Sequence, residues 1–121
     1  MSQSMKTRVI SRADLEAMFP PPAPMTEKER AALERLLEIA QSDTGQARRV
    51  ADFLLAWWNA GSCGKFDLTD TWCVDTAIAE DMVAIFVFVA RVHSYPDKLG
   101  YSDQFKAIVA EWRPHLIGDD A

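Results

Sequence analysis

Apolar positions are densest between residues 75 and 94 of this chain, where nine apolar residues, Met82–Ala90, follow one another. A helix on the surface of a domain needs only one apolar stripe, and a membrane span needs about 20 apolar residues. The run therefore predicts the central helix of a small soluble domain, covered on more than one side. On the helical wheel its main buried face comprises Ile78, Met82, Ile85, Phe86, Val89 and Val92.

The opposite side of this helix is not simply polar. Glu80 and Arg91 mark a polar side, yet Ala84, Val87 and Phe88 lie beside them. We expect these apolar side chains to be covered by the N-terminal leader, by the last helix or by a second copy of the protein. A homodimer through this face is therefore one alternative.

Three further helices are predicted around the central one. The sequence that begins at Thr26 has the form of a capping box and opens a helix with a narrow apolar stripe. The next helix covers about residues 46–60 and is expected to stop at Gly61. The last helix is capped by Ser102 and ends before Pro114. Since no segment alternates as a strand would, the predicted fold is all-α, a compact bundle of four main helices around a buried central helix.

A proline-rich leader precedes this bundle. Residues 11–19 are predicted to form a short helix, because Ser11 and the three residues after it have the form of a capping box. The segment Pro20–Pro24 can only be extended and semi-rigid. The leader is then a linker with a frayed start. The alternative is an arm that docks on the domain or on a partner through its apolar side chains, Leu15, Met18 and Phe19.

Length and charge limit the classes of function. The chain has 121 residues, of which 49% are hydrophobic, enough for one domain with a modest core. We divide it into the leader (residues 1–25), a single helical domain (26–117) and a tail (118–121). Residues 1–61 carry eight acids and eight bases, so the net charge of −5 lies in the second half. Such a domain repels nucleic-acid backbones, and direct DNA or RNA binding is disfavoured.

The expected location is the cytoplasm. The first 19 residues lack the apolar core of a secretion signal. Cys63 and Cys73 fit a reducing compartment, where a free cysteine behaves as a small buried hydrophobe. We therefore expect no membrane association.

Motifs for catalysis and ligand binding fail on their spacing. Gly61–Phe66 has the glycines of a phosphate-binding loop, but its spacing is too short and Phe66 stands where Ser or Thr must hold magnesium. The segment that starts at Asp67 lacks the Gly and Glu of a calcium loop, and the cysteines and histidines lack paired zinc spacing. We predict no catalytic, cofactor-binding or metal-binding residues. The enzyme alternative would use Cys73 as nucleophile with His93 as base.

Protein–protein contact is the chemistry that the remaining features favour. Five acids and no base lie between Lys65 and Arg91, which indicates either helix capping on a solvated face or an acidic docking patch for a basic protein surface. Trp57 and Trp58 cannot share one stripe, so either both are core residues that contact different neighbours or Trp58 lies at an interface. The candidate interface residues are Trp58, Asp67, Asp70, Asp75, Glu80, Asp81 and Phe88. The matching core prediction names Phe53, Trp57, Ile85, Phe86 and Trp112.

Three blocks of sequence carry a resemblance to a known family: Ile39–Ala60, Phe66–Met82, and Tyr95–Phe105 followed by Trp112–Pro114. They resemble a bacterial domain family of unknown function that is carried mainly on integrative conjugative elements and plasmids. The resemblance implies a cytoplasmic accessory protein of a bacterial mobile element and assigns no catalytic residue.

The leading interpretation is a non-catalytic accessory protein that acts through protein–protein contact. Its particular form is the modulation or inhibition of a host defence or nucleic-acid-handling protein by an acidic surface. The alternatives are the small enzyme built on Cys73 and His93 and a regulator that binds DNA.

Overall fold

The computed structural model describes residues 9–18 and 21–117, and it is all-α over these residues, which confirms the predicted fold class. The α-helices of this part of the chain are α1 (Arg12–Met18), α2 (Glu27–Ala40), α3 (Ala47–Cys63), α4 (Thr76–Val92) and α5 (Ser102–Trp112). Short 3-10 helices lie at Leu68–Cys73, Pro96–Leu99 and Pro114–Leu116. Phe19 of the predicted leader helix and the tail 118–121 lie outside the described residues.

Both predicted capping boxes are confirmed, and each starts a helix. The backbone N–H of Asp14 donates to Ser11 Oγ over 3.0 Å ahead of α1. Ahead of α2, the backbone N–H of Glu29 donates to Thr26 Oγ1 and the backbone N–H of Thr26 donates to Glu29 Oε1, each over 3.0 Å. These bonds satisfy donors that have no partner within the helix, so the helix starts were predictable from the local sequence.

Two predicted helix boundaries are wrong by a few residues. Helix α3 does not stop at Gly61, because the chain kinks at Asn59 (φ −163°, ψ 81°) and continues helically to Cys63. Gly64, with φ of 101°, ends it instead, in a region of backbone space that suits glycine. Ser102 is the first residue of α5 rather than its cap.

The core lies where α2 packs against α3, α4 and α5. Five of its side chains that are fully excluded from solvent come from all four helices: Leu33, Leu36, Leu54, Ile85 and Phe105. The predicted core position of Ile85 is confirmed. Three other predicted core residues are half-buried and pack against this cluster: Phe53, Trp57 and Trp112.

Helix α4 is covered on one side only, which differs from what its apolar run predicts. Ile78, Met82, Ile85 and Phe88 are buried against the rest of the bundle. The opposite side is exposed, with exposed fractions of 62% for Val83, 65% for Phe86 and 52% for Val87. The described helices include none that is long and apolar enough to cross a membrane.

The predictions for the two phenylalanines of α4 are both wrong. Phe88, expected at the surface, is 1% exposed, and Phe86, expected in the core, is 65% exposed. Arg91, which the wheel assigns to the polar side, contributes to this difference. Its guanidinium instead reaches back to α2 and binds Glu29 with N–O distances of 2.7 and 2.9 Å. This ion pair holds the end of α4 against α2, and Phe88, three residues before Arg91, is buried.

A candidate protein-interaction groove

An apolar groove of about 680 Å³ lies between α3 and α4. Its walls come from both helices, and the segment that follows α3 completes the lining. We call it the α3–α4 groove. It is lined by side chains that are almost all apolar: Phe53, Ala56, Trp57, Phe66, Leu68, Thr71, Ala79, Met82, Val83, Ile85, Phe86 and Val89.

The floor of the α3–α4 groove is fixed by aromatic contacts. The rings of Phe53 and Phe66 meet edge to face, with centroids 5.3 Å apart. Trp57 packs edge to face against Phe105 at 5.8 Å. The indole N–H of Trp57 donates to the carbonyl oxygen of Ser94 over 3.0 Å, so this polar group is satisfied and the ring adds apolar surface. The groove is therefore preformed rather than a gap between loose side chains.

Large apolar side chains at the rim of the groove are open to solvent. Leu68 is 74% exposed, Val83 62% and Phe86 65%, and all three also line the groove. Trp72, in the same 3-10 helix as Leu68, is 82% exposed. Contiguous exposed apolar surface of this kind marks an interaction site more often than isolated apolar residues do.

Three of the five predicted interface acids bind partners within the domain. Arg35 of α2 binds Asp81 through two N–O contacts of 2.9 Å. Arg49 of α3 pairs with Asp70 at 3.6 Å. Asp75 exchanges two hydrogen bonds with the side chain of Gln46, of 3.0 and 2.6 Å. The sequence between Lys65 and Arg91 lacks bases, but the fold supplies them from α2 and α3.

The other two acids are exposed, and they differ in role. Asp67 caps the 3-10 helix Leu68–Cys73, since its Oδ1 accepts from the hydroxyl and the backbone N–H of Thr69 over 2.8 and 3.0 Å. These two hydrogen bonds hold the pKa of Asp67 below its ordinary value. Glu80 lies on the exposed side of α4.

Trp58 does not belong to the α3–α4 groove. It is half-buried, and its indole N–H donates to Asp97 Oδ1 over 2.7 Å. It lines a separate recess of mixed polarity with Asn59, Tyr95 and Lys98. Of the residues predicted for the interface, the structure thus places Trp58, the acids and the buried Phe88 in several different environments.

The predicted alternative of a Cys73–His93 enzyme is contradicted by the geometry. Cys73 precedes α4 and His93 follows it. A helix of 17 residues separates them by about 25 Å at 1.5 Å per residue. His93 is exposed, caps the helix in the left-handed conformation (φ 59°), and its Nε2 lies 2.9 Å from the carbonyl oxygen of Ala90. The histidine therefore has a capping role.

The two thiols are free and are expected to react at different rates. Cys63 is 3% exposed, and burial raises the pKa of its thiol, only partly offset by the charge of Arg113. Cys73 is exposed. We expect a disulfide reagent such as Ellman's to modify Cys73 of the native protein more than about tenfold faster than Cys63. The reagent cannot easily reach the buried Cys63, and the raised pKa of that thiol leaves less of it as the reactive thiolate. Cys73→Ser should abolish the fast phase, and a fast phase that survives it would contradict the burial of Cys63.

No metal site is formed by the described residues, which contain no group of three or more His, Cys, Asp or Glu side chains near enough to hold an ion. The lining of the α3–α4 groove also lacks the charged groups that would orient a phosphate or a carboxylate ligand. Its chemistry is that of apolar contact.

Comparison with known proteins identifies a family. A family model matches residues 30–113, which include α3, α4, α5 and every residue that lines the α3–α4 groove. The chain belongs to DUF7673, a family of unknown function. This membership agrees with the predicted resemblance to a domain family of unknown function. No curated protein and no solved structure matches the chain.

Sequence reasoning did not identify the exposed apolar residues at and near the groove rim of the DUF7673 domain, namely Leu68, Trp72, Val83 and Phe86. One signal was available. An unbroken run from Met82 to Ala90 puts apolar side chains on every side of a helix, so a small bundle has to leave some of them outside.

Proposed function

We propose that this protein is a non-catalytic interaction module that binds an apolar segment of a partner protein in the α3–α4 groove. The observation that carries the proposal is the preformed apolar groove whose rim residues, Leu68, Val83 and Phe86, are more than half exposed. A groove between two helices is the ordinary receptor for an amphipathic helix, which inserts side chains at spacings of three and four.

Charge favours a partner segment with basic flanks. The protein has a net charge of −5, and the exposed Asp67 stands between Phe66 and Leu68, which both line the groove. Basic residues beside the apolar anchors would approach faster and would avoid like-charge repulsion. The same acidity disfavours DNA or RNA as the direct ligand.

The wider role that we propose is that of a cytoplasmic accessory protein of a bacterial mobile genetic element. In this role the module modulates or inhibits a host defence or nucleic-acid-handling protein. The support is the resemblance of the sequence blocks and the acidity of the chain, since proteins that handle nucleic acid have basic surfaces. Asp67 and Glu80 are two exposed acids that can face such a surface, and Asp75 is a third.

The test is affinity capture from the natural host with variants on and off the groove. Phe86→Asp and Leu68→Asp put a charge into the rim, and both side chains are exposed, so the fold should survive. Ala107→Asp adds the same charge on the exposed side of α5 and is the matched control. We expect one host protein to be captured by the wild type and the control and lost, by at least about tenfold, with both groove variants.

A capture that is indifferent to Phe86→Asp and Leu68→Asp would contradict the proposal. A second readout needs no partner. A dye that fluoresces on apolar surfaces should bind the wild type and the Ala107→Asp control equally, and the two groove variants more weakly.

A further inference from the structure

The exposed side of α4 carries a row of residues spaced four apart, whose first member, Val83, also lies at the rim of the α3–α4 groove. Val83, Val87 and Arg91 follow one another at this spacing, so their side chains form one ridge along the helix. Val83 and Val87 are 62% and 52% exposed, and we call them with Arg91 the α4 ridge.

The leader is attached at one end of the α4 ridge. Arg91 Nε donates to the carbonyl oxygen of Ala23 over 3.1 Å, and its Nη2 donates to that of Pro24 over 3.2 Å. The proline-rich segment therefore approaches the domain beside the ridge and not at a distant point. Upstream of it the chain continues into α1.

Helix α1 has apolar side chains that are exposed in this structure. Leu15 is 45% exposed and Met18 is 59% exposed, and their spacing of three places them on the same side of α1. From Ala23 back to Met18, an extended chain reaches about 15 Å at 3.1 Å per residue. One turn of α4, from Arg91 to Val87, spans only about 6 Å.

We propose that α1 packs along the α4 ridge of its own chain and covers Val83 and Val87. The leader is attached at the Arg91 end of α4, and this attachment sets which residues of α1 lie beside which residues of the ridge. Met18 then lies by Val87 and Leu15 by Val83, and one further turn brings Arg12 to Glu80, which is exposed on the same side of α4. The opposite charges of Arg12 and Glu80 add an electrostatic attraction to the two apolar contacts.

A contact within one chain is favoured over a contact between two copies by the shortness of the linker. A short flexible linker gives an effective concentration in the millimolar range, whereas a second copy competes at its actual, usually micromolar, concentration. The packed leader is thus a second arrangement of the chain in which α1 leaves solvent. It goes beyond the groove proposal, because it assigns an occupant from the same chain to the α4 ridge.

The test is a disulfide between the two surfaces of the full-length protein. In a Cys73→Ser background, Met18→Cys and Val87→Cys are introduced together, and Cys63 is buried. Under copper–phenanthroline and air, we expect a disulfide within one chain, with the mass of a monomer. It should form at least about tenfold faster than in the control pair Met18→Cys with Ala107→Cys, where the second cysteine is on α5.

A disulfide between two chains would overturn the proposal in favour of a second copy. Equal rates for the test pair and the control pair would overturn it as well. Charge provides an independent check of the register. In the test pair, Arg12→Glu should slow the disulfide about threefold, and Glu80→Arg added to it should restore the rate. Neither result depends on whether the α3–α4 groove binds a partner.

Discussion

Glu29→Gln is expected to reduce the loss of stability that the protein shows between pH 5 and pH 2. The carboxylate of Glu29 accepts two hydrogen bonds from Arg91, of 2.7 and 2.9 Å, and one from the backbone N–H of Thr26, of 3.0 Å. The bonds from Arg91 are the main reason that the pKa of Glu29 falls from 4.5 to about 2, since burial of the carboxyl acts in the opposite direction. The side chain is only 11% exposed.

The direction of the pH effect follows from the lowered pKa. In the folded protein Glu29 stays ionised down to about pH 2, whereas in the unfolded chain it takes up a proton near pH 4.5. Its contribution to stability is therefore fully present above pH 4.5 and is lost as the pH falls toward 2. The two values differ by an amount that corresponds to about 3 kcal/mol. Because Gln does not titrate, Glu29→Gln loses this dependence and lowers the free energy of unfolding at pH 7 by about 2 kcal/mol.

Urea unfolding followed by tryptophan fluorescence at pH 7, 5, 4 and 3 measures both effects. Glu27→Gln is the matched control, because Glu27 lies in the same turn of α2, is 93% exposed and approaches Arg30 only at 4.0 Å. It should change the free energy of unfolding by less than about 0.5 kcal/mol. If Glu27→Gln and Glu29→Gln flatten the acid limb equally, the Glu29–Arg91 pair does not carry the effect.

The helix starts were predictable because their causes are local. The hydroxyl of Thr26 and the carboxylate of Glu29 cap α2 from within three residues, and the same holds for Ser11 and Asp14 ahead of α1. The stripe of α5 was also predictable, since its period alone puts Phe105 on the inner side. Spacing of this kind needs no knowledge of the rest of the chain.

The orientation of α4 was not predictable from its own sequence. It depends on the pair formed by Glu29 and Arg91, which are 62 positions apart. A charged residue on a helical wheel is ordinarily assigned to solvent, and here Arg91 has a partner in α2 that holds it against the domain. Phe88, three residues before Arg91, is the buried ring, and Phe86 is the exposed one.

The α3–α4 groove could not be predicted from the sequence for a related reason. Its floor needs Phe53 of α3 to meet Phe66 of the following loop, and its rim needs Leu68 and Val83 of α4 to line the same groove. The acids were likewise misleading when read along the chain. Asp70 and Asp81 look unpaired until α3 and α2 bring Arg49 and Arg35 to them.

Replacing the two phenylalanines of α4 one at a time is expected to show that Phe88 stabilises the fold and that Phe86 contributes to surface binding. Phe88→Ala should lower the free energy of unfolding by about 3 to 4 kcal/mol, because the ring is 1% exposed and its removal leaves a cavity. The ring also meets Trp57 edge to face at 6.3 Å and lies 5.6 Å from the guanidinium carbon of Arg91. These contacts are lost with the ring.

Phe86→Ala, two residues away, should leave the free energy of unfolding within about 0.5 kcal/mol of the wild type, because its ring is 65% exposed. It should instead reduce binding of an apolar dye and of any partner captured through the α3–α4 groove, where Phe86 forms part of the rim. Urea unfolding and dye titration on both variants distinguish the two roles. The reverse pattern, with Phe86→Ala the more destabilising, would mean that α4 faces the core as its sequence alone predicts and that Phe86 is not available to a partner.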